Sequence, residues 1–232
     1  NWQYRENNSN IEEEYLRPFL VRQGYSETLI TRAIEELRKV ASDQARSLYD
    51  INRAVYDLLR YGVKMKPNVS ANTQTVYLID WERPLNNDFG IAEEVSVKGE
   101  KTKRPDIVLY VNGIALAVLE LKRSTVPVSD AIRQNIGNQL NEFIRPFFTT
   151  IQFALAGNDT EGLRYGTIET SEKYYLTWKE DVGTDSSRPS VGDTSRPPVG
   201  TDLSRPSVPD RPADGRDKSV PTAVSNIIFQ CS

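Results

Sequence analysis

Apolar positions recur at helical spacing in the first third of the chain and alternate in the middle, and this change of period predicts the order of elements. Ile30, Ala33, Ile34 and Leu37 follow Ser26, which predicts a helix with Ser26 as its N-cap. Ile51, Val55, Leu58 and Leu59 repeat the pattern before Gly62, the residue expected at a helix C-terminus. A less regular helix is expected from Ile11 to Gln23, despite Pro18. Strand-like runs follow at Gln74–Asp80, Ile91–Val97, Pro105–Val111 and Ile114–Lys122. A helix from Ser129 to Arg145 comes next, then strands at Thr150–Ala156 and Leu163–Glu169. Helices, strands, one helix and more strands read as an α/β domain, a mixed sheet flanked by helices.

The two most apolar strands form a hairpin that carries charge. "RPDIVLYVNGIALAVLELKRS" places Asp106, Glu120 and Lys122 in core-forming segments. Ionised groups are rarely buried, because desolvation costs several kcal/mol unless a partner or an ion compensates. Alternation puts Ile114, Leu116, Val118, Glu120 and Lys122 on one face. A two-residue Asn112-Gly113 turn would put Asp106 on the opposite face from Glu120. A three-residue loop, Val111 to Gly113, pairs Tyr110 with Ile114 instead. Asp106 then lies opposite Val118 and diagonal to Glu120, about 7–8 Å away between backbones. A bulge near Asp106 would have the same effect.

Composition limits the chemistry. The chain has 232 residues and a net charge of −3, with no histidine and one cysteine, Cys231. Imidazole acid–base chemistry, zinc sites of the usual kind and intrachain disulfides are therefore excluded. A metal here must be a hard, oxygen-liganded ion. Two carboxylates and an ammonium at one end of a hairpin fit a magnesium site, where the lysine can orient water and stabilise a pentavalent phosphate. The plainer reading is a Glu120–Lys122 charge pair, with Asp106 merely opening a strand after Pro105. No apolar run approaches the roughly 20 residues of a membrane helix and no signal peptide opens the chain, so the expected place is the cytoplasm. From 181 onward come "VGTDSSRPS", "VGDTSRPP" and "VGTDLSRPS". This Pro-, Ser- and Asp-rich composition predicts a disordered tail over 181–232 after an ordered domain over 1–180.

"PD", thirteen intervening residues and "ELK" match the PD-(D/E)xK nuclease signature. The longer string "DWERPLNNDFGIAEEVSVKGEKTKRPDIVLYVNGIALAVLELKRS", with "NQLNEF" and "YGTIETSEKYYLTWK" after it, resembles the N-terminal nuclease domain of the type I restriction endonuclease R subunit. The resemblance spans Ile11 to Lys179. It implies a restriction-endonuclease-like fold and magnesium-dependent cleavage of double-stranded DNA. Asp106, Glu120 and Lys122 take the catalytic roles, and Asp106, Glu120 and the backbone carbonyl of Leu121 hold the metal. The family's Gln-x-x-x-Tyr motif is matched to Gln139 and Phe143, with Gln139 expected to position Lys122 or a phosphate and Phe143 to be a core residue. Among Glu12, Glu13 and Glu14, complementing a helix N-terminus is favoured over facing the metal. Arg104, Arg123 and Arg133 are expected on DNA phosphates, while Lys98 and Lys101 read as a solvated loop. The implied partners are the methyltransferase and specificity subunits. ATP would act only through a motor domain, and no G-x-x-x-x-G-K-[ST] loop occurs in this chain. A competing reading is a non-catalytic module that keeps the nuclease fold and docks on modification subunits.

Overall fold

A computed structural model describes residues 3–4, 9–66 and 72–179. In chain order the elements are β1 (Gln3–Tyr4), α1 (Glu13–Arg22), α2 (Glu27–Ala41), α3 (Leu48–Tyr61), β2 (Val63–Met65), β3 (Gln74–Val76) and β4 (Phe89–Glu93). After them come β5 (Ile107–Val111), β6 (Ile114–Leu121), α4 (Val128–Asn138), β7 (Phe153–Asn158), β8 (Gly162–Gly166) and β9 (Leu176–Thr177). Seven strands form one sheet in the order β1-β4-β5-β6-β7-β8-β9, and β2 and β3 form a separate hairpin. The β1–β4 and β6–β7 pairs are parallel and the others antiparallel. The α/β class with a mixed sheet expected from the sequence is the one observed. The predicted tail lies outside the described residues, among which no helix is long and apolar enough to cross a membrane.

Helix ends follow local chemistry. Ser26 and Ser47 are the N-caps of α2 and α3, and the Ser47 hydroxyl accepts from the Asp50 amide. Gly62 ends α3 at φ 75°, and a Cβ there would lie 2.6 Å from the Thr75 methyl. The helix expected over Ser129–Arg145 stops at Asn138, and a short 3-10 segment follows over Arg145–Thr149. Between them the chain turns, with the Phe143 amide donating to Leu140 O and the Ile144 amide to Asn138 O, and the turn lets Ile144, Phe147 and Phe148 bury in the core under α4.

The β5–β6 hairpin differs from expectation in an instructive way. Its loop has two residues, with Val111 opposite Ile114 and both Asn112 and Gly113 at positive φ, 50° and 79°. The three-residue loop is therefore incorrect. Tyr110 pairs with Ala115 and Leu109 with Ala117, so Leu116 is an extra residue on β6, a bulge. The bulge reverses the faces of the strand. Ile114 and Leu116 pack with the core under α1 to α3, whereas Val118 joins Ala115 in the second core, under α4. The single face predicted for Ile114 through Lys122 is thus split, because β6 must feed two cores on opposite sides of the sheet. Beyond the bulge, Val108 faces Val118 and Ile107 faces Leu119, and just past this last pair the Asp106 and Glu120 side chains meet. The anticipated bulge exists, but at Leu109/Tyr110 rather than beside Asp106.

Candidate active site

At the open end of the hairpin, Asp106 precedes β5 while Glu120 and Leu121 end β6. The Leu121 amide donates to Asp106 Oδ2 at 2.7 Å, which fixes the carboxylate beside that of Glu120. Small residues, Ala131 on α4 with Ala154 and Ala156 on β7, let the helix lie close to the sheet in the second core. On α4, Gln134 and Asn138 stand four residues apart and so share one face. Gln134 Nε2 donates to Glu120 Oε2 at 2.6 Å, and Asn138 Nδ2 donates to Oε1 at 3.3 Å. Lys122 Nζ donates to Gln134 Oε1 at 2.6 Å. Lys122 therefore reaches Glu120 through an amide rather than by a direct charge pair. Its backbone amide is tied to Gly157 O at 2.9 Å, which extends the parallel β6–β7 pairing to the lysine.

Glu120 is fully buried. Burial pushes its carboxyl up from 4.5 to about 8, the neighbouring Asp106 carboxylate adds to the rise, and Lys122 and Gln134 oppose it. Two carboxylates in such a place repel each other, and a cation between them removes both the repulsion and part of the desolvation penalty. Among the described residues no three His, Cys, Asp or Glu side chains converge. The Asp106 and Glu120 carboxylates are a hard-oxygen pair of the kind magnesium uses when it keeps several waters. The residues fit that ion.

Other candidates lie elsewhere. Gln139 caps the C-terminus of α4, where Nε2 donates to Asn135 O at 3.1 Å and Oε1 accepts from the Glu169 amide at 2.6 Å. Both ends of this amide are engaged by backbone, so the structure does not bring Gln139 to the carboxylates. Gln134 and Asn138 occupy the position expected of it. Their four-residue spacing was readable in the sequence, but the aromatic at 143 drew the register five residues downstream. Phe143, expected in the core, is half-buried beyond the helix end, with Lys101 and Lys103 over its ring. Glu12 to Glu14 sit at the other end of the hairpin: the Glu12 amide donates to Gly113 O, and Glu13 and Glu14 lie in the first turn of α1. The helix-terminus reading is the one that fits. Arg104 is paired with Glu94 at 3.4 Å, and Arg133 with Asp130 and Glu172 at 3.0 and 2.8 Å. Arg123 is exposed.

A family model described as type I restriction enzyme R protein N terminus matches residues 2–173. The chain belongs to that family. Among curated R-protein relatives, the type I restriction enzyme HindI endonuclease subunit of Haemophilus influenzae is 29% identical over 133 residues, 55% of this chain and 12% of the relative. A Methanocaldococcus jannaschii protein provisionally named type I restriction enzyme MjaIXP endonuclease subunit is 29% identical over 138 residues, 56% of this chain and 13% of the relative. The EcoprrI endonuclease subunit of Escherichia coli is 22% identical over 122 residues, covering 48% and 37%. The chain thus matches an N-terminal fraction of R-protein architecture, well under two thirds of each of these relatives' length.

Proposed function

We propose that this chain is the DNA-cleaving domain of a type I restriction R subunit, hydrolysing phosphodiester bonds of double-stranded DNA with magnesium. The observation that carries the reading is the convergence of Asp106, Glu120 and Lys122, which the β6 bulge creates and α4 seals. Asp106, Glu120 and the Leu121 carbonyl would hold the ion, which supplies charge neutralisation at the phosphate and lowers the pKa of bound water. The chain's own residues do the rest. Asp106 is held by the Leu121 amide, so its carboxylate has a fixed direction. Gln134 grips Glu120 with its nitrogen and Lys122 with its oxygen, which sets the distance between acid and ammonium. Lys122 then presents its remaining N–H groups to water and to a non-bridging phosphate oxygen, stabilising the charge that grows during in-line attack.

Among the described residues there is no basic recognition helix, so sequence choice would come from a specificity subunit and DNA delivery from a motor in the complete R subunit. The test is nicking of supercoiled plasmid by the purified chain at low salt. Wild type should nick only with magnesium, without sequence preference, and Asp106→Asn should lower the rate by three orders of magnitude or more. Nicking that survives this substitution or chelation would overturn the assignment. Absence of nicking together with absence of magnesium binding by calorimetry would favour the docking-module reading.

A further inference from the structure

The loop joining β4 to β5 is fastened to the far end of the helix that covers the carboxylates, and the fastening leaves no room for a side chain. A Cβ on Gly99 would lie 2.0 Å from the Phe143 carbonyl oxygen, while the Glu100 amide donates to that same oxygen at 3.2 Å. Across the loop, Val97 and Lys103 exchange both backbone hydrogen bonds, at 2.9 and 3.1 Å. The result is a small rigid strap. It sets Lys103 Nζ 4.0 Å from the centre of the Phe143 ring and Lys101 Nζ 5.3 Å from it. Two ammonium groups thus gather about one aromatic ring, which attracts cations through its quadrupole. Lys101 has one carboxylate, Glu142 at 3.1 Å, an exposed pair of little energetic weight. Lys103 has no carboxylate partner among the described residues.

We propose that Lys101 and Lys103, held over Phe143, form a phosphate clamp for the duplex that enters the Asp106–Glu120 site. Position argues for it. Lys103 stands three residues before Asp106, so the backbones are at most about 11 Å apart. On the other edge, Asn138, which donates to Glu120, also binds the Ile144 amide through its carbonyl at 3.3 Å, directly after Phe143. The strap is therefore connected to the carboxylates on both sides, through the chain to Asp106 and through Asn138 to Glu120. Arg133 is held by two carboxylates, whereas Lys103 has none among the described residues and Lys101 has only its exposed Glu142 pair, so the strap carries positive charge that a phosphate would complete. Phe143 is a positioning residue in this scheme, acting through the lysines.

This inference rests on the proposed nuclease function, and its test does not use cleavage. Fluorescence anisotropy of a generic duplex with the full chain, in chelator and over a series of salt concentrations, reads the number of phosphate contacts from the slope of log affinity against log salt. The double substitution Lys101→Ala with Lys103→Ala should flatten that slope by about 1.8 and weaken binding at least tenfold at the lowest salt. The corresponding double Arg variant should restore the slope. Phe143→Leu, which keeps bulk but removes the ring face, should weaken binding a few-fold. Melting curves and magnesium calorimetry should be unchanged in the lysine variants, which separates a lost contact from a lost fold. An unchanged slope in the double Ala variant overturns the clamp even if the chain cuts DNA. A flattened slope in a chain that never cuts DNA keeps the clamp and removes the nuclease reading instead.

Discussion

The two ends of the β5–β6 hairpin both bury polar side chains, and they do so in opposite ways. At the turn end, Asn112 is fully buried, yet its side chain is neutral and complete. Its Nδ2 donates to Leu78 O and Asn87 Oδ1 at 2.9 and 2.8 Å, and its Oδ1 accepts from the Asp88 amide at 2.8 Å. At the open end, Glu120 is equally buried but sits against a second carboxylate and is pushed up to about 8. Fully satisfied neutral groups hold a fold in place. Ionising a buried carboxyl beside a second carboxylate costs stability, and such an arrangement marks a candidate functional site.

Substitutions at the two ends should separate activity from stability. The largest expected effect is at the open end: Lys122→Ala should lower the DNA cleavage rate by about a thousandfold, equivalent to about 4 kcal/mol of barrier. Its melting temperature should move by no more than a few degrees, because the ammonium has a single side-chain partner. A cleavage rate near wild type would remove Lys122 from the mechanism. The reverse is expected at the turn. Asn112→Ala orphans the Leu78 carbonyl and the Asp88 amide and leaves alanine at φ 50°, a cost of about 3 kcal/mol. For a domain of this size that lowers the melting temperature by roughly 6–12 °C, with little change in cleavage below the transition. Loss of activity without loss of stability would break the contrast.

The raised Glu120 carboxyl sharpens the comparison through pH. A folded-state value above the unfolded one means that protonated Glu120 contributes stability that is complete below about 4.5 and is lost as pH rises through about 8. Glu120→Gln mimics the protonated form at every pH. In metal-free solution it should melt with wild type near pH 5 and several degrees above wild type near pH 9, a difference of a few kcal/mol at most. Magnesium should close the gap by stabilising wild type alone. A variant less stable than wild type at high pH would show that Glu120 is held charged by its surroundings.

Much of this hairpin was legible in the sequence, because Asp106, Glu120 and Lys122 interrupt apolar runs and desolvation makes such interruptions costly. Two of the three helices before the sheet were equally clear, from apolar spacing and from Ser26 and Gly62 at their ends, whereas Pro18 made the first less regular. The bulge was not. An extra residue at Leu116 changes no local preference, since alanine, leucine and valine suit either face, and only the two cores on opposite sides of β6 decide it. Short pairings such as β1 with β4 and β8 with β9 rest on partners distant in sequence, or on two-residue matches too brief to show a period. The glutamine assignment failed for a related reason. Periodicity locates a helix, but which of its polar residues faces the sheet depends on where the helix begins. Here it begins at Val128 and turns Gln134 inward to Glu120.

The smallest expected effects lie within α4 itself, where two glutamines five residues apart have different duties. Gln139 spans the Asn135 carbonyl and the Glu169 amide, and Glu169 is held at φ 54°, so this side chain fixes the loop after β8. Gln139→Ala should cost about 1–2 kcal/mol, a drop of a few degrees in melting temperature, and leave the cleavage rate per folded molecule unchanged. Gln134 joins Glu120 to Lys122 and is partly exposed, so Gln134→Ala should cost less stability. It should nevertheless lower cleavage tenfold or more, since the ammonium loses its anchor. The variant also loses the amide that opposes the upward shift of Glu120, and its magnesium binding should therefore need higher pH than that of wild type. That pH shift is a signature a merely structural residue would not produce. If Gln139→Ala shifts the pH dependence and Gln134→Ala does not, the two roles are exchanged and the sequence register through Phe143 is the correct one.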